Sequence, residues 1–241
     1  MKKLIFVFLL GVLLTITAFS IDYEEAYQRF IVIRSSQNLE EMKELVEELE
    51  DEEKVFEDVN FLTLLADCKR EYANWAPEEE KVENYERARE LAEMAVKMDP
   101  EYGYAYYVAG ASIGQLAEFA GIVKSLFMLG DFDHFIEKAM ELMPENNMPF
   151  LAMGMRYRDT PWPFKNYDKS EELLLKAINL KPDYINSYYE LALLYEKWGK
   201  MDKAAEYHEK ILEMPIQPEF EAQGRESKEN AERWLKENGY K

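Results

Sequence analysis

The chain has 241 residues, with 48 Asp and Glu against 29 Lys and Arg, a formal net charge of −19. So large an acidic surplus excludes the electrostatics of nucleic-acid binding and of docking on anionic membranes, both of which need clustered cations. The single cysteine, Cys68, excludes a disulfide within the chain, and two histidines leave little material for metal or acid–base chemistry.

Met1-Lys2-Lys3, an apolar run from Leu4 to Leu14, and Ala18-Phe19-Ser20 follow the order of an export signal over residues 1–20. A single domain over 21–241 is expected to follow, and removal of Lys2 and Lys3 makes it more acidic still. The apolar run is short for a membrane span; an uncleaved tether is the alternative arrangement. The expected location is the periplasm or another extracytoplasmic space. No cysteine stands at the cleavage point to carry a lipid.

Residues 23–35 and 39–50 read as two helices. Asn38 caps the second, with Glu41 three residues on. Residues 54–75 read as one long helix with Phe61, Leu62, Leu65 and Tyr72 on its apolar face. Cys68 reads as a small core residue of that run, and Pro77 ends it. Helices follow over 85–98, 104–119, 132–142, 149–157, 169–180, 185–198 and 201–213. A charged helix over 219–237, with sparse apolar positions such as Ala231, Trp234 and Leu235, reads as a solvating cap. No alternating strand pattern appears in the sequence. The fold class is therefore all-α.

One sentence is written three times within this series. Ala95…Pro100 is followed by Gly110, Ala139…Pro144 by Gly154, and Ala177…Pro182 by Ala192, at constant offsets. The proline stops a helix because it lacks a donor N–H. The small residue about two turns into the next helix permits close approach. Around it lie apolar residues at i, i+3, i+4 and i+7: Tyr106, Ala109, Gly110 and Ile113; Phe150, Met153, Gly154 and Tyr157; Tyr188, Leu191, Ala192 and Tyr195. Stacked antiparallel helix pairs are expected over 61–100, 101–144, 145–182 and 183–216. Extra helices precede them and a capping helix follows, the whole forming a right-handed superhelix.

The spacing is irregular. Relative to a unit of ~34 residues, the first interval carries about ten extra residues and the second about four. The first surplus falls within 115–133 and includes Ile122, Val123 and Phe127. The second includes Asp159-Thr-Pro-Trp-Pro-Phe164. Both read as connections between the two helices of a pair. Insertions in repeat arrays often shape the binding surface.

The first helix of each pair carries a second stripe beside its core stripe: Tyr104, Tyr107 and Ala111; Met148, Leu151 and Met155; Asn186, Tyr189 and Leu193. Apolar residues on two faces imply a helix covered on both sides. The cover could be the two inserts, the terminal helices, a bound apolar ligand or a partner protein, with extra core under the inserts and an apolar pocket as the two main readings. The candidate ligand- or partner-binding residues are Tyr104, Tyr107, Ala111, Met148, Leu151, Met155, Tyr189 and Leu193, with Phe127, Trp162 and Phe164 from the inserts. Asp131, Asp133 and His134 form the one metal-like cluster, and it reads as a capped helix start. With no phosphate loop, no nucleophile elbow and no Cys-x-x-Cys pair, no catalytic residue, metal or cofactor is expected.

The Ala…Pro…Gly/Ala pattern and Trp198-Gly199…Ala204 resemble the tetratricopeptide repeat (TPR) family. More narrowly, 61–215 resembles the TPR component of TRAP transporters (TatT-like proteins) and the related regulator-of-microtubule-dynamics proteins. The segments carrying this are Ala95–Pro100, Tyr104–Gly114, Met153–Tyr157 and Pro161-Trp162. The resemblance implies a periplasmic helper of solute uptake that pairs with a solute-binding protein, holds a hydrophobic small molecule and assembles as a trimer. The alternative is an exported TPR scaffold for envelope proteins.

Overall fold

The computed structural model describes residues 21–240. The expected export signal at 1–20 lies outside them. Among the described residues there are eleven α-helices and no strand.

Local chemistry sets the helix ends. Helix α1 (Tyr23–Ser36) starts where the Asp22 carboxylate accepts the Glu24 N–H, and it stops at Gln37, which takes the left-handed conformation at φ 54. Helix α2 (Leu39–Glu50) is capped by the Asn38 side chain on the Glu41 N–H and buries Met42, Leu45, Val46 and Leu49. The expected single helix over 54–75 is instead a 3-10 turn, Glu53–Phe56, followed by α3 (Val59–Trp75). Asp58 causes the break. Its side chain accepts the N–H groups of Asn60 and Phe61, which satisfies two donors that a continuous helix would have paired itself. Helix α4 (Glu78–Met98) starts seven residues before the expected 85. Glu78, Glu79 and Glu80 fill its first turn, where carboxylates oppose the positive end of the helix dipole.

Helices α5 (Gly103–Phe119) and α6 (Gly121–Leu142) follow. The first insert is thus helical, not a loop: its residues form the opening turns of α6. Leu126, Met128 and Leu129 are helix formers, and no proline interrupts the stretch. Gly121, at φ +70, makes the sharp change of direction from α5. Helices α7 (Asn147–Asp159) and α8 (Tyr167–Leu180) flank the second insert, which is a non-helical connection. Helices α9 (Ile185–Trp198) and α10 (Met201–Glu213) come next, then a 3-10 turn, Pro218–Phe220, and α11 (Glu221–Glu237).

Helices pair as α3 with α4, α5 with α6, α7 with α8, and α9 with α10, and each pair stacks on the next. The first members, α3, α5, α7 and α9, also touch one another in sequence, so they form an inner layer. The recurring small residues sit where partners come closest. A Cβ on Gly110 would lie 2.6 Å from Ile136 Cδ1, and one on Gly154 would lie 2.8 Å from Leu174 Cγ. Ala95, Ala139 and Ala177 are fully buried.

The ends of the array behave differently from a simple cap. Helix α11 packs on α9 and α10 through buried Ala231 and Leu235, as a cap should. It also meets α1, as does the 3-10 turn before it. Arg34 of α1 lies over the Phe220 ring, 4.8 Å from its centroid. The first and last elements therefore close around the inner layer. Among the described residues no helix is long and apolar enough to cross a membrane.

Candidate ligand-binding cavity

The closure leaves a half-open cavity of about 890 Å³ against the inner layer. This is at the upper end of the range of small-molecule sites, ~300–1,000 Å³. Six of the expected residues line it: Tyr104, Tyr107 and Ala111 from α5, and Met148, Leu151 and Met155 from α7. The second stripe is therefore neither fully filled core nor open surface. Leu126, Met128, Leu129 and Phe132 of α6 add to the wall, so the first insert reaches the cavity through one face of its helical turns.

The polar groups in the wall mostly satisfy one another. Asp67 of α3 is fully buried. Its carboxylate accepts Arg70 Nε at 2.7 Å and the Tyr104 hydroxyl at 2.5 Å. Arg70 also bonds Glu71 at 2.5 Å. Burial, followed by the Asp67 charge, holds the Tyr104 phenol well above its ordinary range. Burial pushes Tyr107 up to about 12. Both phenols are thus neutral donors at any physiological pH. They stack on each other with ring centroids 5.9 Å apart. The Asn74 side-chain oxygen accepts the Tyr85 hydroxyl at 2.8 Å and a bond from Gln115.

Five expected residues lie elsewhere. Phe127 and Trp162 are 83% and 85% exposed, and Phe164 is 45% exposed. They project from the inserts into solvent instead of lining a passage. On α6, Leu126 faces the cavity and its neighbour Phe127 faces outward, because consecutive residues on a helix diverge by about 100°. Tyr189 is half-buried against α10: it meets the His208 ring edge-on at 6.1 Å, and His208 in turn stacks on Trp234 of α11 at 4.5 Å. Leu193 is half-buried on α9 and does not line the cavity.

Asp131, Asp133 and His134 lie in the middle of α6, not at a helix start. Asp131 pairs with Arg89 at 3.1 Å and Asp133 with Arg156 at 2.5 Å, while His134 is exposed. The two carboxylates thus tie α6 to α4 and α7.

Several wall residues were not expected from sequence: Tyr23, Tyr27 and Arg34 of α1, Asp67 and Arg70 of α3, and Phe220 and Gln223 at the C-terminal closure. For Asp67 and Arg70 a signal existed, two opposite charges three residues apart inside an apolar run. For the α1 and C-terminal residues no local signal exists, since their role depends on the chain ends meeting.

Stacked helix pairs with small residues at the crossings, and an inner layer facing a concave space, define a TPR-type repeat protein. A tetratricopeptide-repeat family model matches residues 173–206. The model of regulator of microtubule dynamics protein 1-3 matches residues 31–158, more than half of the chain, and the chain belongs to that family. Among solved structures it is similar to a thermophilic TPR protein of Thermus thermophilus, at 20% identity, covering 85% of this chain and 96% of that one, with a TM-score of 0.61. It is also similar to MamA, from residue 41 to the end, of Desulfovibrio magneticus RS-1, at 19% identity, covering 81% and 96%, with a TM-score of 0.50. At these identities the likeness is one of fold. No curated protein is a significant match. Scaffolds of this type generally mediate protein–protein interactions and are generally not enzymes.

Proposed function

We propose that the chain is a non-enzymatic, extracytoplasmic accessory protein that holds a hydrophobic small molecule in its concave face and exchanges it with a protein partner. The partner class is a periplasmic solute-binding protein of a TRAP-type uptake system, and a homotrimer is the assembly that the TatT-like resemblance implies. The observation that carries the ligand-holding part is the meeting of α1 with α11 and the Pro218–Phe220 turn around a cavity of about 890 Å³. The wall supports an occupant with a large apolar part, with Met148, Leu151, Met155 and Leu129 lining the space and the Asp67–Arg70 pair already neutralised.

A second reading, an exported scaffold for envelope proteins, draws on the solvent-facing Ile122, Val123, Phe127 and Trp162. Clustered exposed apolar side chains mark protein contact sites, and Ile122, Val123 and Phe127 share the opening turns of α6.

Native mass spectrometry of the full chain purified without detergent separates the two. The first reading expects a bound apolar molecule that is removed by solvent extraction and replaced by the neutral probe N-phenyl-1-naphthylamine. A bare chain that takes up no probe would leave the scaffold reading standing alone.

A further inference from the structure

The Arg34 guanidinium lines the cavity and has no ion-pair partner among the described residues. This is unusual in a chain with 48 acidic residues. The other arginines of the wall are engaged, Arg70 by Asp67 and Glu71, and Arg156 by Asp133. Arg34 instead lies over two aromatic faces, Phe30 at 5.2 Å and Phe220 at 4.8 Å. Its Nε is buried and has no hydrogen-bond acceptor. A buried, unpaired guanidinium donor is costly to leave unsatisfied, and the group that best satisfies its planar fork is a carboxylate.

The surroundings set the charge of that group. Lys181 lines the same region but is paired with Glu219 at 3.3 Å. Arg34 also acts at a distance on Glu219, which therefore lies near enough to repel a second negative charge. One free cation beside one carboxylate favours a monoanion over a dianion. Tyr184, Asn186 and Gln223 supply neutral polar atoms nearby.

The rest of the cavity is polarised along its length. Leu126 and Leu129 come from the opening turns of α6, which adjoin the C-terminal end of α5. Lys181 and Tyr184 precede α9, at the opposite end of the inner layer. Glu118 and Asp159 belong to the α6 end, and burial, followed by the charge of Asp159, raises the Glu118 carboxyl. An anion is disfavoured there and favoured at Arg34, whereas a tail meets leucine and methionine.

We infer that Arg34, seated between Phe30 and Phe220, is the head-group subsite of this cavity, and that the ligand is a long-chain monocarboxylate whose apolar tail extends toward Leu126 and Leu129. This rests on the ligand-holding reading above and adds the class of the ligand.

The test is displacement of N-phenyl-1-naphthylamine from the solvent-extracted full chain by dodecanoate and by 1-dodecanol. Dodecanoate is expected to bind at least tenfold more tightly than the alcohol. Arg34→Gln should abolish that preference and leave alcohol binding unchanged. Arg233→Gln, which alters an arginine of α11 bonded to Asn230 at 3.1 Å, should keep it. Equal binding of acid and alcohol by the unaltered chain overturns the inference while leaving the ligand-holding reading intact, as does equal weakening of both by Arg34→Gln. Failure to bind the probe at all overturns both. If Arg34→Gln does not fold, the acid-to-alcohol ratio of the unaltered chain decides the matter.

Discussion

Replacing Arg158 by Met is expected to destabilise the protein by about 3–5 kcal/mol at pH 7, the cost of leaving a buried charge without its partner. Arg158 of α7 and Glu190 of α9 have side chains only 5% and 10% exposed, and they pair at 2.5 Å. The guanidinium also donates to the Glu190 carbonyl at 2.9 Å, so one side chain ties two inner helices through charge and backbone together. Burial raises the Glu190 carboxyl despite the lowering effect of Arg158, and loss of the guanidinium must raise it further. A carboxyl raised in the folded state binds more protons folded than unfolded. Its contribution to stability is therefore fully present below the ordinary carboxyl range and is lost as pH rises through the raised value. The deficit of the variant should accordingly shrink as pH falls from 7 toward 5. Urea unfolding followed by circular dichroism at both pH values measures this. Adding Glu190→Leu to Arg158→Met should restore much of the loss, because no charge then remains buried. A pH-independent deficit under 1 kcal/mol would show that the pair is solvated.

Phe30→Ala carries a comparable expectation, about 3–5 kcal/mol for truncating a fully buried aromatic side chain. Phe30 sits on the face of α1 that joins the main core and forms one of the two rings beneath Arg34. Its loss should weaken the docking of α1 and therefore the closure with the C-terminal elements. Val32, two residues on and 63% exposed, gives the control. Val32→Ala should stay within about 0.5 kcal/mol of the parent. Similar losses for the two variants would mean that α1 is not packed as described.

These two sites illustrate what a sequence of this kind can and cannot convey. Helices over 39–50, 185–198 and 201–213 are readable to the residue because Asn38 and Gly199 mark their limits with side-chain capping and positive φ. The repeat positions Gly110 and Gly154 are readable because close helix crossings admit only small residues. The cavity was half legible: the second apolar stripe identifies α5 and α7 as covered on two faces, and its members Tyr107, Leu151 and Met155 do line the space. The same stripe on α9 misleads at Tyr189, because it packs on His208 of α10, itself stacked on Trp234 of α11, and nothing in the local pattern says so. Phe127 and Trp162 mislead for the opposite reason. Hydrophobicity predicts burial on average, but Phe127 lies on the outward face of α6 and Trp162 in the connection between α7 and α8, and both are exposed. Asp58 hid a helix break, since an aspartate can serve equally as an exposed helical residue or as a cap. Arg34 is the least legible of all. Its place against Phe220 joins residues from opposite ends of the chain, and only the curvature of the stacked pairs brings them together.

The proposed seat of the ligand is the concave face of the inner layer. Photo-crosslinking tests it most directly: a long-chain probe carrying a diazirine on its tail is bound to the full chain, illuminated, and the modified residues are mapped by peptide mass spectrometry. Labelling is expected on wall residues such as Tyr107, Leu151, Met155 and Leu129, suppressed by excess unlabelled ligand. Labelling concentrated instead on Phe127, Trp162 and Phe164, and insensitive to competition, would contradict it.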